Sequence, residues 1–500
     1  MKNVTYVFWI SIVICAVLVV WGATSPDQLE STTNFLTTTF SSTFGWYYLI
    51  IVVFMLAFCV YMIFSPYGNI KLGKDDAQPE FSLASWFAML FSAGMGIAMV
   101  FWTTAEPISH AFVNSPEAEL GSDQAIRESL QYSFFHWGIH AWAVYAVVAL
   151  GLAYFKFHKG YPGLISSTLV PLFGEKSMRG LPGTLIDSLA VFATVVGVAS
   201  TLGFGSAQIN DGLAFLFNTP NTFTVQVIIL VISTALFIIS AWSGVGRGIK
   251  HLSNVNMWLA FILLITLFIV GPTVYILDMF TSTTGNYISN FFNMSFRSAP
   301  LDNDNRTWID AWTIFYWAWW ISWSPFVGIF IARISKGRTV KEFMLGVLFV
   351  PSVICFIFFA VFGVSALNLE QNGIATISEY PMETATFAVL QQYPLGFVMS
   401  LVTIVVIAIF FITSADSATF VLGMLTTAGS LNPSAAVKIS WGVALSLVAA
   451  VVMYFGGTQG LQNTLIVAAL PFSVFVLLMG VSFFKTVREE RLQHKQKAKS

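Results

Sequence analysis

The sequence predicts an all-α integral membrane protein with 12 transmembrane helices, on three observations. Charged residues make up only 9% of the 500 and hydrophobic ones 56%, with a mean hydropathy of +0.77, whereas soluble domains run to about a quarter charged. Twelve apolar runs are long enough to span a bilayer, which takes about 20 helical residues. Walking outward from a cytoplasmic N-terminus, 20 of the 23 Lys and Arg fall on the inner side and only Arg127, Arg297 and Arg306 on the outer. That is the positive-inside pattern, and miscounting by one helix would scramble it. Both termini are therefore expected in the cytoplasm, with the chain crossing a cell membrane many times.

The same composition excludes several function classes. A net charge of −1 offers no basic face to nucleic acid. Cys15, Cys59 and Cys355 sit singly in apolar runs without CxxC spacing, so neither a disulfide framework nor a thiolate metal site is expected. No Gly-x-Ser-x-Gly, P-loop or His-Glu-x-x-His motif is present, and the chain is not expected to be an enzyme or to carry an organic cofactor.

In chain order, runs at 4–23 and 46–64 form a pair within residues 1–81. The first is longer and more aromatic than a signal-peptide core, so it counts as a helix. Runs at 82–104, 132–155, 185–207, 223–241 and 256–277 fill residues 82–277. Runs at 311–332, 344–366, 395–413, 436–455 and 461–484 fill residues 311–484. Between the two groups, residues 278–310 set Asp302, Asp304 and Arg306 beside Phe291, Phe292 and Phe296, which suits an extracellular interfacial helix and loop; residues 375–394 read alike. Arg247, Lys250 and His251 alternate with apolar residues as in an amphipathic helix on the inner face. The basic tail, 485–500, is either a positive-inside anchor or a sensor of anionic lipid and ionic strength, whose grip screening would weaken.

Some spans break the rules of lipid burial. Ser92-Ala93-Gly94-Met95-Gly96-Ile97-Ala98 puts two glycines into one turn at mid-membrane. Either small residues pack closely there, or the helix opens and its freed backbone lines a cavity. Run ten ends in Phe411-Ile412-Thr413-Ser414-Ala415-Asp416-Ser417, and such a polar cluster does not face lipid. Its hydroxyls either bond back to the preceding turn or, with carbonyls near Ala93 and Met95, offer the oxygen ligands that Na⁺ requires. Asp416 would orient backbone in that arrangement.

The aromatic residues point to a ligand. Five Trp fall within the twelve residues 312–323, with Trp312, Tyr316, Trp320 and Trp323 at helical spacing and Trp319 beside them. A belt at the membrane interface explains one or two of these. Trp137, Trp142 and Tyr145 of run four lie within roughly a 140° arc at about 100° per residue, so they can share one cavity. A trimethylammonium group donates no strong hydrogen bond, and indole faces attract it by about 0.5–2 kcal/mol per ring. A compact onium solute is the small molecule such a cage would take. His136 and His140 stand four apart; without a third ligand in view they read as hydrogen-bonded structural residues, with a proton relay as the other reading.

At these residues the chain resembles the betaine–carnitine–choline transporter (BCCT) family over almost its whole length. The motifs are Ala93-Gly94-Met95-Gly96-Ile97, Thr104-Ala105-Glu106-Pro107, Phe135-His136-Trp137-Gly138-Ile139-His140-Ala141-Trp142, Trp317 through Phe326, and Thr413 through Ser417. The short tails look most like the glycine betaine uptake systems of Gram-positive bacteria. The resemblance implies a LeuT-like fold, with inverted five-helix repeats over 82–277 and 311–484, alternating access around a midplane site, and a homotrimer. It implies substrate contacts from Trp137, Trp142, Tyr145, Trp319, Trp320 and Trp323, with Met95 and Ala98 beside them. It also implies a Na⁺ site built from Ser92, Ala93, Met95, Phe411, Thr413 and Ser414.

Two departures from the family pattern stand out. Ala98 replaces the last glycine of a Gly-Met-Gly-Ile-Gly motif, which would trim the substrate or alter its carboxylate pose. Thr194 is followed at the next turn by Val198 where some members carry a second threonine, which argues against a second Na⁺. No Lys or Arg lies inside a span away from its ends, so the fixed cation of Na⁺-independent exchangers is missing. The expectation is Na⁺-coupled import of glycine betaine. The alternatives are H⁺ symport of choline, carnitine or dimethylsulfoniopropionate and, from another class, an osmotically gated channel.

Overall fold

Backbone polar groups find no water in a bilayer, so a chain this apolar must satisfy them internally, and a helix does so within each segment. The computed structural model describes residues 4–94, 96–243 and 246–497, leaving out the side chains of 91–94, 97–98, 241, 243, 246–250, 458, 494–495 and 497. Among the described residues the chain is helical, with no strand beyond one antiparallel bridge between Lys71 and Thr339. Eleven helices there are long and apolar enough to cross a membrane.

The first helix, α1 (Tyr6–Thr24), is followed after Ser25 by α2 (Pro26–Phe64). The second is 39 residues long and begins well before the expected run at 46–64. Its added turns are rich in Ser and Thr and find tertiary partners: Thr37 Oγ1 donates to the Asn463 carbonyl at 3.1 Å. The expected span at 82–104 is two helices of 12 residues each, α3 (Leu83–Gly94) and α4 (Ile97–Ile108), separated at residues 95–96. The span near 132–155 is also divided, into α5 (Asp123–Trp137) and α6 (Ile139–Ala153), at Gly138. A methyl on Gly138 would stand 2.5 Å from the Phe134 carbonyl and 3.0 Å from the Phe356 ring, so only glycine lets the two pieces meet there.

Next come α7 (Leu181–Phe217), then Phe223–Ser243 and Gly246–Val270. The expected inner-face amphipathic segment forms the start of that last helix, with the Arg247 and Lys250 side chains outside the described residues. Helices Thr273–Ser289 and Phe291–Phe296 occupy the segment expected at the outer interface. They lead to α8 (Phe315–Ile334), α9 (Val340–Phe358), α10 (Gly396–Thr426) and α11 (Ala435–Lys497). Gly457, at φ 52°, breaks α11 into two candidate spans. The hydroxyl cluster expected to end run ten lies mid-helix in α10 instead. Beyond it Ala418, Val421 and Leu422 are buried, since this half of α10 packs against protein.

Burial ranks the helices. The hydrophobic windows of Asp123–His158 and Asn303–Ile334 are 94% buried, against 17% for Phe223–Ser240, which places α5, α6 and α8 at the centre. The tail helix rests on its own chain: Glu490 pairs with Lys159 and accepts from the Tyr154 hydroxyl at 2.5 Å, and Lys485 Nζ donates to the Pro171 carbonyl at 2.8 Å.

Candidate functional site

The two helix breaks lie against different helices, Gly96 against α10 and Gly138 against α9. Gly96 opens α4 in an extended conformation, and a methyl on it would lie 3.8 Å from Ser414 Oγ on α10. Backbone released by the break is thus adjacent to the hydroxyl cluster. Thr413 Oγ1 bonds back to the Ile409 carbonyl at 2.9 Å, yet its lone pairs remain able to accept. Phe411 is buried on the same helix. Met95, and the side chains of Ser92, Ala93 and Ala98, lie outside the described residues.

The second break sits directly after Trp137 and turns that ring toward α8. Trp137 meets Trp320 edge-to-face at 4.9 Å and Trp319 at 6.2 Å, while Trp319 and Trp320 stack at 5.4 Å with planes 4° apart. Tyr145 closes on Trp320 at 6.1 Å, and Trp142 packs on Tyr145 at 5.5 Å. Trp323 lies one turn further along α8, against Phe326 at 5.5 Å and over Gly197 of α7. None of these rings is more than 7% exposed. Three indole N–H groups are engaged, Trp137 with Glu106 Oε2 and Trp320 with the His136 carbonyl, both at 3.0 Å, and Trp142 with the Cys355 thiol. Those of Trp319 and Trp323, with the Tyr145 hydroxyl, have no partner among the described residues. Buried donors of this kind ordinarily find an acceptor, so the cage offers apolar faces together with unspent N–H groups.

Glu106, near the end of α4, is fully buried. Its Oε1 faces His136 Nδ1 at 2.7 Å and His110 Nε2 at 3.3 Å, and its Oε2 accepts from Trp137 and, at 2.5 Å, from the Tyr316 hydroxyl. The other His136 nitrogen meets the Thr313 hydroxyl at 2.9 Å. His110 and Thr313 sit in π-helical turns, Ser109–Val113 and Asp310–Ile314, a distortion that re-aims side chains and recurs at functional sites. His140 bonds elsewhere, to Ser295 Oγ at 2.9 Å. The two histidines spaced four apart therefore take separate partners across the Gly138 break.

A cavity of about 450 Å³ opens at the end of the bundle that carries 377–385 and Gln459, and reaches down to Phe101, Trp102, Phe204 and Trp312. Trp102 and Phe204 pack against Trp319 at 6.2 and 5.7 Å. One layer of rings thus separates this cavity from the cage.

The structure brings Trp137, Trp142, Tyr145, Trp319 and Trp320 into one connected set, with Trp323 at its margin. Reading the sequence did not single out Glu106, Tyr316, His110, Trp102 or Phe204 as a group. Glu106 stands in one of the family motifs, with no role read for it from the sequence. A carboxylate about three turns from the glycine break was the available signal, since an ionisable group inside a span needs partners.

Residues 6–492 match the model of the BCCT, betaine/carnitine/choline family transporters. A glycine betaine transporter of Bacillus subtilis, OpuD, is 55% identical over 499 residues, covering 100% of this chain and 97% of the relative. An ectoine/hydroxyectoine transporter of Virgibacillus pantothenticus is 42% identical over 481 residues, covering 95% of each. A probable glycine betaine transporter of Desulfitobacterium hafniense is 41% identical over 496 residues, covering 98% of each.

Proposed function

The chain belongs to the betaine/carnitine/choline transporter family, a family of membrane transporters and not of enzymes, and from that premise we propose that it imports glycine betaine by Na⁺ symport. The observation that carries the substrate is the buried cage of Trp137, Tyr145, Trp319 and Trp320. Its faces suit a trimethylammonium head, and the unpartnered N–H groups of Trp319 and Trp323 suit a carboxylate. The names of the relatives, glycine betaine in one and ectoine in another, support the same compact zwitterions.

In this reading α3 and α4 together form a twelfth span, unwound at its middle. Residues 82–277 and 311–484 are then inverted repeats of a LeuT-like fold in a homotrimer, with both termini on the cytoplasmic side of the inner membrane. The cavity above Trp102 and Phe204 is the outer vestibule, and those two rings are the lid the substrate passes. The coupling ion sits where Gly96 meets Ser414, with Thr413 and the Phe411 carbonyl beside it. Ser414→Ala is expected to raise the Na⁺ concentration for half-maximal uptake by about tenfold, a 1.4 kcal/mol loss, with a smaller effect at saturating Na⁺. In the same reading the basic tail is a partner for anionic lipid.

Proton symport is the second reading, supported by the buried Glu106, His110 and His136. Labelled glycine betaine uptake into proteoliposomes separates the two. A Na⁺ gradient alone should drive accumulation; accumulation driven only by a proton gradient would move coupling to the histidines, and none under either would remove glycine betaine as the substrate.

A further inference from the structure

The cage walls are neutral rings, yet a single carboxyl group stands directly behind them. Glu106 takes four neighbours on its two oxygens: His110 and His136 on one, Trp137 and Tyr316 on the other. All four can donate. An ionised carboxylate is acceptor-only and can accept them all, whereas a protonated one would have to turn a donor toward one of them. An ionised carboxylate beside two neutral imidazoles can make every one of these contacts: His136 then gives Nδ1–H to the carboxylate and accepts at Nε2 from Thr313, and His110 gives Nε2–H. Both imidazoles are neutral in this arrangement. No Lys or Arg among the described residues lies within ion-pair distance of Glu106, so in this arrangement of protons the cluster carries one negative charge.

That charge is wired to the cage in two ways. Trp137 N–H donates to Oε2, and an indole that donates to an anion gains electron density on its ring face, which strengthens its pull on a cation. His136, held by the same carboxylate, presents its backbone carbonyl to Trp320 N–H. Tyr316, the shortest contact to Glu106, stacks on Trp320 at 5.8 Å with planes 18° apart. The two rings that meet edge-to-face across the cage are thus both oriented from Glu106. In a site shut off from water its field is weakly screened.

We propose that Glu106 is the positioning and charge-selecting residue of the onium cage: without touching the substrate, it fixes Trp137 and Trp320 and makes the cage favour positive heads. This rests on the onium-transport reading above. It explains how a pocket of neutral rings admits a cation while zwitterions, whose carboxylate feels the same field with opposite sign, gain less from it.

The test compares a bare cation with a zwitterion. Tetramethylammonium and glycine betaine are titrated into purified, detergent-solubilised protein and read by tryptophan fluorescence. Glu106→Gln is expected to weaken tetramethylammonium by about tenfold and glycine betaine by about threefold, in line with the screened field of one buried charge. Glu106→Asp should restore most of the difference. Equal losses for both ligands, or a wild-type protein that binds glycine betaine but ignores tetramethylammonium, would overturn the charge role. A wild-type protein that binds neither points to failure of the transport reading itself.

A second measurement does not depend on the Gln variant folding. In the wild type, tetramethylammonium should perturb ionised-carboxylate infrared bands that Glu106→Asp shifts. Finding a protonated carboxyl at Glu106, or no perturbed band, overturns the proposal.

Discussion

Replacing Trp320 with Ala is expected to weaken glycine betaine binding at least thirtyfold while leaving the protein folded. Trp320 faces Trp137 edge-on at 4.9 Å, stacks on Trp319 at 5.4 Å and meets Tyr145 at 6.1 Å. Removing it opens one wall of the cage and frees two others to move. A desolvated indole face contributes about 2 kcal/mol to a cation, which is roughly thirtyfold in affinity. Trp323→Ala should act in the same direction through its unpartnered N–H. Trp9, 55% exposed on α1, is the control, and Trp9→Ala should leave affinity unchanged. Isothermal titration with each purified variant checks this, and equal effects at Trp9 and Trp320 would remove the cage assignment.

The second large effect is expected where the cage helices cross. A methyl placed on Gly328 of α8 would lie 2.6 Å from Val148 Cγ1 and 3.3 Å from the Ala149 backbone nitrogen on α6. Helices approach this closely in membranes only through small residues, because packing rather than water expulsion holds them together. Gly328→Ala should therefore cost about 1–3 kcal/mol, the usual range for overpacking, and lower the thermal midpoint in detergent. It should also weaken substrate binding, since α6 carries Tyr145 and α8 carries Trp320. Adding Val148→Ala removes the clashing methyl and should recover much of both losses. A double variant no better than Gly328→Ala would show that the crossing tolerates no such exchange, and that the Val148 contact does not set the spacing.

Hydropathy and charge alternation placed eleven spans at the positions where the structure has helices, because bilayer thickness and loop charge act on local composition. They missed the extent of α2, whose early turns are polar and depend on partners such as the Asn463 carbonyl. They also missed the Gly138 break, since one glycine in an apolar run carries no periodic signal. The mid-membrane break near Gly96 was legible because two glycines fall within one turn. The cage rings were legible because aromatic residues recur at helical spacing on two segments. Nothing local could say that Trp323 would lie at the margin of the set, over Gly197 of a third helix.

By itself, then, the sequence determined the membrane class, the placement of eleven spans, the glycine pair at which a twelfth could open, and the aromatic residues able to form a cage. Each is a matter of composition or of a period within one segment. The tertiary structure alone decided that Ser414 comes to rest beside Gly96, and that Glu106 gathers His136, Trp137 and Tyr316 from 30, 31 and 210 residues away. A buried carboxylate must collect donors from whichever helices pack around it. That choice is made by packing between segments, which no pattern within one segment encodes.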